Sequence, residues 1–405
     1  YNTATAGKVT DIVIPETLSG AEVVAIDYED GNDEVAGFSK CTKLQTISIP
    51  KTIESIAPGS FTNTALTYIT VDEDNPKYAS HEGALYDKSK TTLIQYPTGS
   101  PNVKYEVPNS VVYIGPYAFS GAKNLEEIIL SPNLKEINDH AFYSCPKLAK
   151  VSAFNGLLAI HDSAFELCAK LVDFDIPDTV TTIDKAVFRS CTALANMELP
   201  KALVSLGDYA FYNCTSLLGK TYTVATPTPS PSASPSASPS ATDTPDTLSG
   251  QSLTLFATSA PQTYTQFEIP NGTSTLGTDV FNGCKAMVKA VIPESIKTVP
   301  ERTFNACTSL TEIDLPASLE YINERAFYGC TKLKEFQIAF KGKEIAKEAF
   351  YGCTSLERAT MFEGISKIGE YAFFHIDCDK INIPDSVEKI GESAFRQCKK
   401  LNEVK

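Results

Sequence analysis

The chain has 405 residues, a formal net charge of -14 at pH 7, eleven cysteines and no tryptophan. An acidic balance without any Lys/Arg run excludes a surface built to neutralise phosphate, so nucleic acid is not an expected partner. The longest apolar stretches, such as the one in LEEIIL (125–130), fall far short of the roughly 20 residues a spanning helix requires, so no membrane insertion is expected.

One phrase recurs along the chain. Aligned on its phenylalanine it gives Phe38, Phe61, Phe119, Phe142, Phe165, Phe188 and Phe211, then Phe281, Phe304, Phe327, Phe350, Phe373 and Phe395, thirteen copies in all. The spacing is 23 residues, except for steps of 58 after Phe61, 70 after Phe211 and 22 at the end. The unit reads LxxIxIPxxLxxIxxxAFxxC, as in LTEIDLPASLEYINERAFYGC (310–330). Its IxI part alternates as a strand does, and proline ends that strand because it has no N–H to give a ladder. A second short extended piece, LxxI, follows. Asn, Gly and Asp before the phenylalanine then suit a tight bend or a short helical turn.

A single unit cannot stand alone. Ordering 23 residues costs about 25 kcal/mol of backbone entropy, while seven or eight buried side chains return roughly 10–20 kcal/mol. Stacking supplies the rest, because each coil pairs its strands with the next and covers the neighbour's apolar layer. The expected fold is therefore a repeat solenoid of parallel β-strands with short helical or 3-10 turns.

Two interruptions organise the chain. The segment from Tyr68 to Pro97 contains KYAS, ALYD and TTLIQYP around polar turns, which predicts a β-hairpin inserted in one coil. Between 225 and 247 runs ATPTPSPSASPSASPSATDTPDT, with no side chain large enough to build a core. Frequent proline favours an extended, semi-rigid spacer, and the Ser/Thr content suits O-glycosylation. The favoured organisation is an N-terminal array over 1–219, a linker over 220–262 and a C-terminal array over 263–405, with SLTLFAT (252–258) as material for a cap on the second. The alternative is one continuous solenoid that extrudes the spacer within a single strand. Residues 1–219 carry net charge -11 and residues 264–405 carry -2, so the first half is the acidic one.

No enzyme constellation is present. His81, His140, His161 and His375 lie far apart in sequence, and the nucleophile-elbow, zinc-protease, P-loop and dinucleotide fingerprints are missing. The cysteines recur every 23 residues at Cys145, Cys168, Cys191 and Cys214 and again at Cys284, Cys307, Cys330 and Cys353, which marks them as repeat positions rather than metal ligands. Buried free thiols are expected, with no metal and no cofactor. Asp377-Cys378-Asp379 falls where the repeat slips register and reads as a turn.

The outward row of the IxI strands is the candidate binding face, since residues flanking the buried ones point away from the core. Two acidic clusters fall there: Asp173, Asp175 and Glu198, beside Asn196, and Glu312, Asp314 and Glu335. They serve either as a charged face that keeps the sheet soluble or as a contact surface for a basic partner or a loosely held divalent cation. Tyrosines next to the repeat phenylalanine, at Tyr143, Tyr212, Tyr328 and Tyr351, either form a stripe open to a ligand or cover the core from outside.

The motifs AFxxC and IxIP, as they stand in LVDFDIPDTVTTIDKAVFRSC (171–191) and at 310–330, resemble the BspA-type leucine-rich-repeat proteins of bacterial cell surfaces. The likeness covers most of the chain outside 220–262, and Tyr68–Pro97 looks like the family's longer repeat variant with an inserted hairpin. The resemblance implies a surface-displayed, non-enzymatic adhesion protein, expected to be monomeric, whose partner is an extracellular protein or a glycan. The runner-up is a set of architectural arrays attached to a carbohydrate-active or other catalytic module elsewhere. Because position 1 is Tyr rather than Met, a leader peptide is taken to have been removed.

Overall fold

The structure, a computed structural model, describes residues 8–29, 32–39, 41–224, 262–338, 342–361 and 363–404. It is a parallel β-solenoid in which most coils contribute two short strands and a turn. Repeat length sets the register: Lys104 lies beside Glu127, Glu127 beside Lys150 and Lys150 beside Asp173. The second strands run in step from Tyr113–Ile114 through Glu136–Ile137, Ala159–Ile160 and Thr182–Ile183 to Ser205–Leu206.

The turn that carries AF is where expectation and structure part. No helix forms among the described residues. Instead, the residues two before and two after the phenylalanine are left-handed, as at Tyr117 (φ 60°) and Gly121 (71°), His140 (55°) and Ser144 (55°), and Arg325 (55°) and Gly329 (68°). A left-handed residue at every fourth position stops an α-helix and turns alternate N–H groups outward. Those groups bond to the next coil: Tyr117, Phe119 and Gly121 donate to the carbonyls of Asp139, Ala141 and Tyr143 at 3.0, 2.7 and 2.8 Å. The turns thus make a third inter-coil ladder, while the N–H groups between them close tight turns within the coil, as from Ser120 to Tyr117 and from Ala122 to Phe119, both at 2.9 Å.

Inside, the repeat phenylalanines form a spine. Phe119 stacks on Phe142 at 4.7 Å and Phe142 on Phe165 at 4.8 Å, and the series continues to Phe373 on Phe395 at 5.5 Å. The repeat cysteines from Cys145 to Cys353 are buried and free. Beyond filling space, each thiol donates to the carbonyl of the preceding coil's phenylalanine, as from Cys145 to Phe119 (3.1 Å) and from Cys330 to Phe304 (3.1 Å).

The favoured organisation into two separate arrays is corrected by the pairing across the spacer. Ser205–Leu206 lies parallel to Thr275–Leu276, Phe211 stacks on Phe281 at 5.8 Å, and one hydrophobic cluster runs from Ala84 to Ala394. The halves form one stack, because the apolar layer of the Phe211 coil needs a cover and the Phe281 coil provides it. SLTLFAT, expected to cap a second array, lies outside the described residues.

The core does divide, at the other interruption. Tyr78–His81 pairs antiparallel with Ala84–Asp87, which pairs antiparallel with Thr92–Gln95, which rejoins the parallel ladder at Tyr113–Ile114. The middle strand is a two-faced wall. Leu85 belongs to the N-terminal cluster with Ile47, Phe61 and Ile69, while Ala84 and Tyr86 belong to the main one. Tyr96 stands in for the phenylalanine of this coil and stacks on Phe119 at 4.9 Å. Among the described residues no ring contact joins Tyr96 to Phe61, so the spine is interrupted there. The Tyr86 and Tyr105 hydroxyls, both buried, bond at 2.6 Å just beyond the wall.

Candidate binding cleft at the strand extrusion

The outward face is laced with ion pairs that the acidic reading did not foresee. Asp173 faces Lys150 at 3.6 Å, Glu198 faces Lys220 at 2.8 Å, and Lys289 reaches both Glu312 (3.5 Å) and Asp314 (3.0 Å). The neighbouring carboxylates, Asp314 first, push the Lys289 ammonium above its ordinary value. Asp175 and Asn196 are exposed on the same side. Glu335 opens the next first-strand ladder, beside Arg358, and its side chain lies outside what the structure describes. Among the described residues no three His, Cys, Asp or Glu side chains converge as a metal site would. Of the histidines, His161 sits between Asp184 (2.9 Å) and Glu136 (3.6 Å), and His140 stacks on Tyr117 at 4.8 Å. The tyrosine stripe is discontinuous: Tyr328, Tyr351 and Phe374 stack at 4.8 and 4.6 Å, whereas Tyr212 packs on Tyr209 and under Arg189.

One place on this face has the form of a site. The first strand of the coil after Phe211 is split. Its opening residues, Leu218 and Gly219, bond to the Ala195 carbonyl at 2.9 and 3.3 Å. The chain then leaves the sheet as Lys220–Val224, returns antiparallel as Gln262–Glu268, and resumes the ladder with Phe267 beside Ala290. Gly219 makes the crossing possible: its φ is +92°, and a Cβ there would lie 2.4 Å from the Gln266 carbonyl oxygen. Leaving the sheet in mid-strand strips the previous coil of its partner, and Met197 to Leu199 carry no strand pairing.

A cleft of about 600 Å³ opens between them. Glu198, Lys201, Lys220, Tyr222, Gln266 and Glu268 line it, above a floor that includes the buried Met197 and Leu199. Alternation puts Lys220 and Tyr222 on one face of the hairpin, opposite Gln266 and Tyr264 in register. Lys220, held by Glu198, stands 5.5 Å from the Tyr222 ring centre, and Tyr264 stacks on that ring at 5.3 Å. Gln266 donates to Glu268. Burial, followed by the Glu268 carboxylate, pushes the Tyr222 phenol up to about 12, so it keeps its proton at neutral pH.

Only Glu198 of the cleft was marked from sequence. The rest had a signal: the triplet Thr-Tyr-Thr occurs at 221–223 and again at 263–265, one on each side of the spacer, and alternation of that kind is a strand pattern.

Parallel coils, a phenylalanine spine and an open outer sheet define a leucine-rich-repeat solenoid. The chain belongs to the family described as BspA type Leucine rich repeat region, whose matches cover residues 34–106, 98–218, 255–374 and 326–405. Among solved structures it is similar to a leucine-rich repeat protein from Bacteroides ovatus, 25% identical with a TM-score of 0.55, over 98% of this chain and 86% of that one. A leucine rich cell surface protein from Faecalibacterium prausnitzii is 23% identical with a TM-score of 0.41, over 82% and 96% of the two chains. The leucine-rich repeat protein of T. pallidum is 21% identical with a TM-score of 0.39, over 51% and 78%. The comparison with curated proteins gives no match.

Proposed function

We propose that this chain is a non-enzymatic binding protein displayed at a bacterial cell surface, which holds a rigid repeat face and the cleft beside Glu198 toward an extracellular protein or glycan. Membership of the BspA-type family supports the surface assignment. The observation that carries the reading is the strand extrusion. At the coil after Phe211 the chain leaves the sheet in mid-strand as an antiparallel hairpin, and the opening this makes is lined with charged, amide and phenolic groups instead of being closed. Such convergence of polar groups in a preformed concavity is what ligand sites have in common. Binding of the full chain to a panel of matrix proteins and glycans, across a salt series, tests the proposal. Saturable binding weakened at least tenfold by Glu198→Lys supports it. A folded chain that binds no member of the panel, or whose binding ignores that substitution, overturns it.

A further inference from the structure

Building on that reading, we infer that the cleft takes an uncharged carbohydrate, gripped between Glu198, Lys220, Gln266 and Glu268 with the ring of Tyr264 at its rim. A sugar hydroxyl is both donor and acceptor, so a site for it needs both roles side by side. Here the Glu198 and Glu268 carboxylates accept, while the Lys220 ammonium group and the Gln266 amide donate, with the Lys201 ammonium group beside them held by Asp178. With Asp178 paired to Lys201, three carboxylates stand against two ammonium groups at the site, which disfavours a polyanion as occupant.

Pre-organisation supports the same assignment. Glu198 and Lys220 already hold one another at 2.8 Å, and Gln266 already bonds Glu268, so the groups a polyol would bridge stand in fixed pairs. Lys220 and Tyr264 both pack on the Tyr222 ring, at 5.5 and 5.3 Å from its centre, and make it the support of the rim. Tyr264 itself is 45% exposed, and Tyr222 is the only ring stacked on it among the described residues. An aromatic ring with an open face is the surface against which the C–H side of a sugar packs. A peptide fits less well. Its apolar side chains need an apolar pocket, and the apolar floor residues Met197 and Leu199 are 2% and 7% exposed and committed to the core.

The experiment is a glycan array followed by calorimetry on the full chain, with neutral, sialylated and sulfated oligosaccharides and a set of matrix proteins in parallel. The expected result is saturable binding of a neutral oligosaccharide that changes less than twofold between low and moderate salt. Tyr264→Ala and Glu198→Gln should each weaken it at least tenfold, with circular dichroism and melting unchanged. Preference for sulfated or sialylated glycans, or neutral-glycan binding indifferent to both substitutions, overturns the inference. Binding of a protein but of no glycan overturns the inference and leaves the proposed function standing; silence toward both removes the two together.

Discussion

The thiol of Cys284 donates to the carbonyl of Phe211 at 3.2 Å although 73 residues separate them, the same bond that Cys307 makes to Phe281 at 26 residues' distance. The solenoid is therefore blind to the spacer: the coil beyond the interruption takes the place the next coil would have held. Because the halves form one body, each covers and stabilises the other.

Removing residues 225–261 and joining Val224 to Gln262 through Asn-Gly should leave the stack intact, since those two residues already face each other as the end of an antiparallel pair. Stability should change by under about 1 kcal/mol and Tm by under about 4 °C. Residues 1–219 alone, by contrast, uncover Phe211, Cys214 and Leu217, all fully buried in the whole chain, and should melt lower. Calorimetry of the three proteins checks this, and independent melting of the halves would refute a single stack.

The cysteine ladder predicts the response to alkali. Burial holds the repeat thiols from Cys168 to Cys353 in the protonated form, with Cys307 and Cys353 pushed up to about 12. The unfolded chain releases these protons nearer 8.5–9, so above that range it binds fewer protons than the native state, and stability falls as pH rises. Each such thiol costs about 1.4 kcal/mol per pH unit between the two values. Urea midpoints should hold from pH 6 to 8 and drop steeply from pH 9 upward. Below pH 8 the thiols should resist alkylation in the native protein and react in full after denaturation.

At the extrusion point, Gly219→Ala should destabilise by about 1–3 kcal/mol, because it asks an L side chain for a φ of +92° and sets its Cβ against the Gln266 carbonyl. Chemical denaturation gives the number. The contrasting control is Gly20→Ala, where φ is +85° but no atom lies within 4 Å, so only the backbone preference is lost.

Asp279 is buried at 2% exposure and is held by Arg302, whose Nε lies 3.0 and 2.9 Å from its two oxygens and whose guanidinium terminus lies 2.9 Å away. Arg302→Ala should cost about 3–5 kcal/mol by leaving a buried carboxylate without its cation. The double variant with Asp279→Asn should recover part of that loss, which a double-mutant cycle measures.

The wall at Ala84–Asp87 should separate two cooperative units. Amides of the N-terminal coils, around Ile47 and Ile69, should exchange faster than those of the coils from Phe119 to Phe373, where spine and turn ladder are continuous. Leu85→Ala should widen the difference by weakening the N-terminal cluster alone, by about 2–4 kcal/mol. Uniform exchange along the stack would show that the wall transmits cooperativity.

Much of this protein is written in its period. The 23-residue recurrence of AFxxC and IxIP determines by itself that the coils stack, which side chains are buried and that the cysteines stay free, because one repeat cannot bury enough apolar surface and identical neighbours can. The inserted strands at 78–95 were also legible, from alternation and turn residues.

Three features depended on tertiary structure. The turn is a hydrogen-bonded ladder with left-handed residues and not a helix, since alternate N–H groups of it find acceptors only once the next coil is in place. The stack continues past the spacer because the exposed layer of the Phe211 coil outweighs the cost of closing a long loop, which grows only slowly with length. Likewise, the carboxylates read as acidic clusters face lysines on adjacent coils, and Tyr222, Tyr264, Gln266 and Glu268 gather around Glu198 only because Gly219 lets the strand cross. Local pattern fixed what each coil buries; which charges meet across coils was decided by the stacking itself.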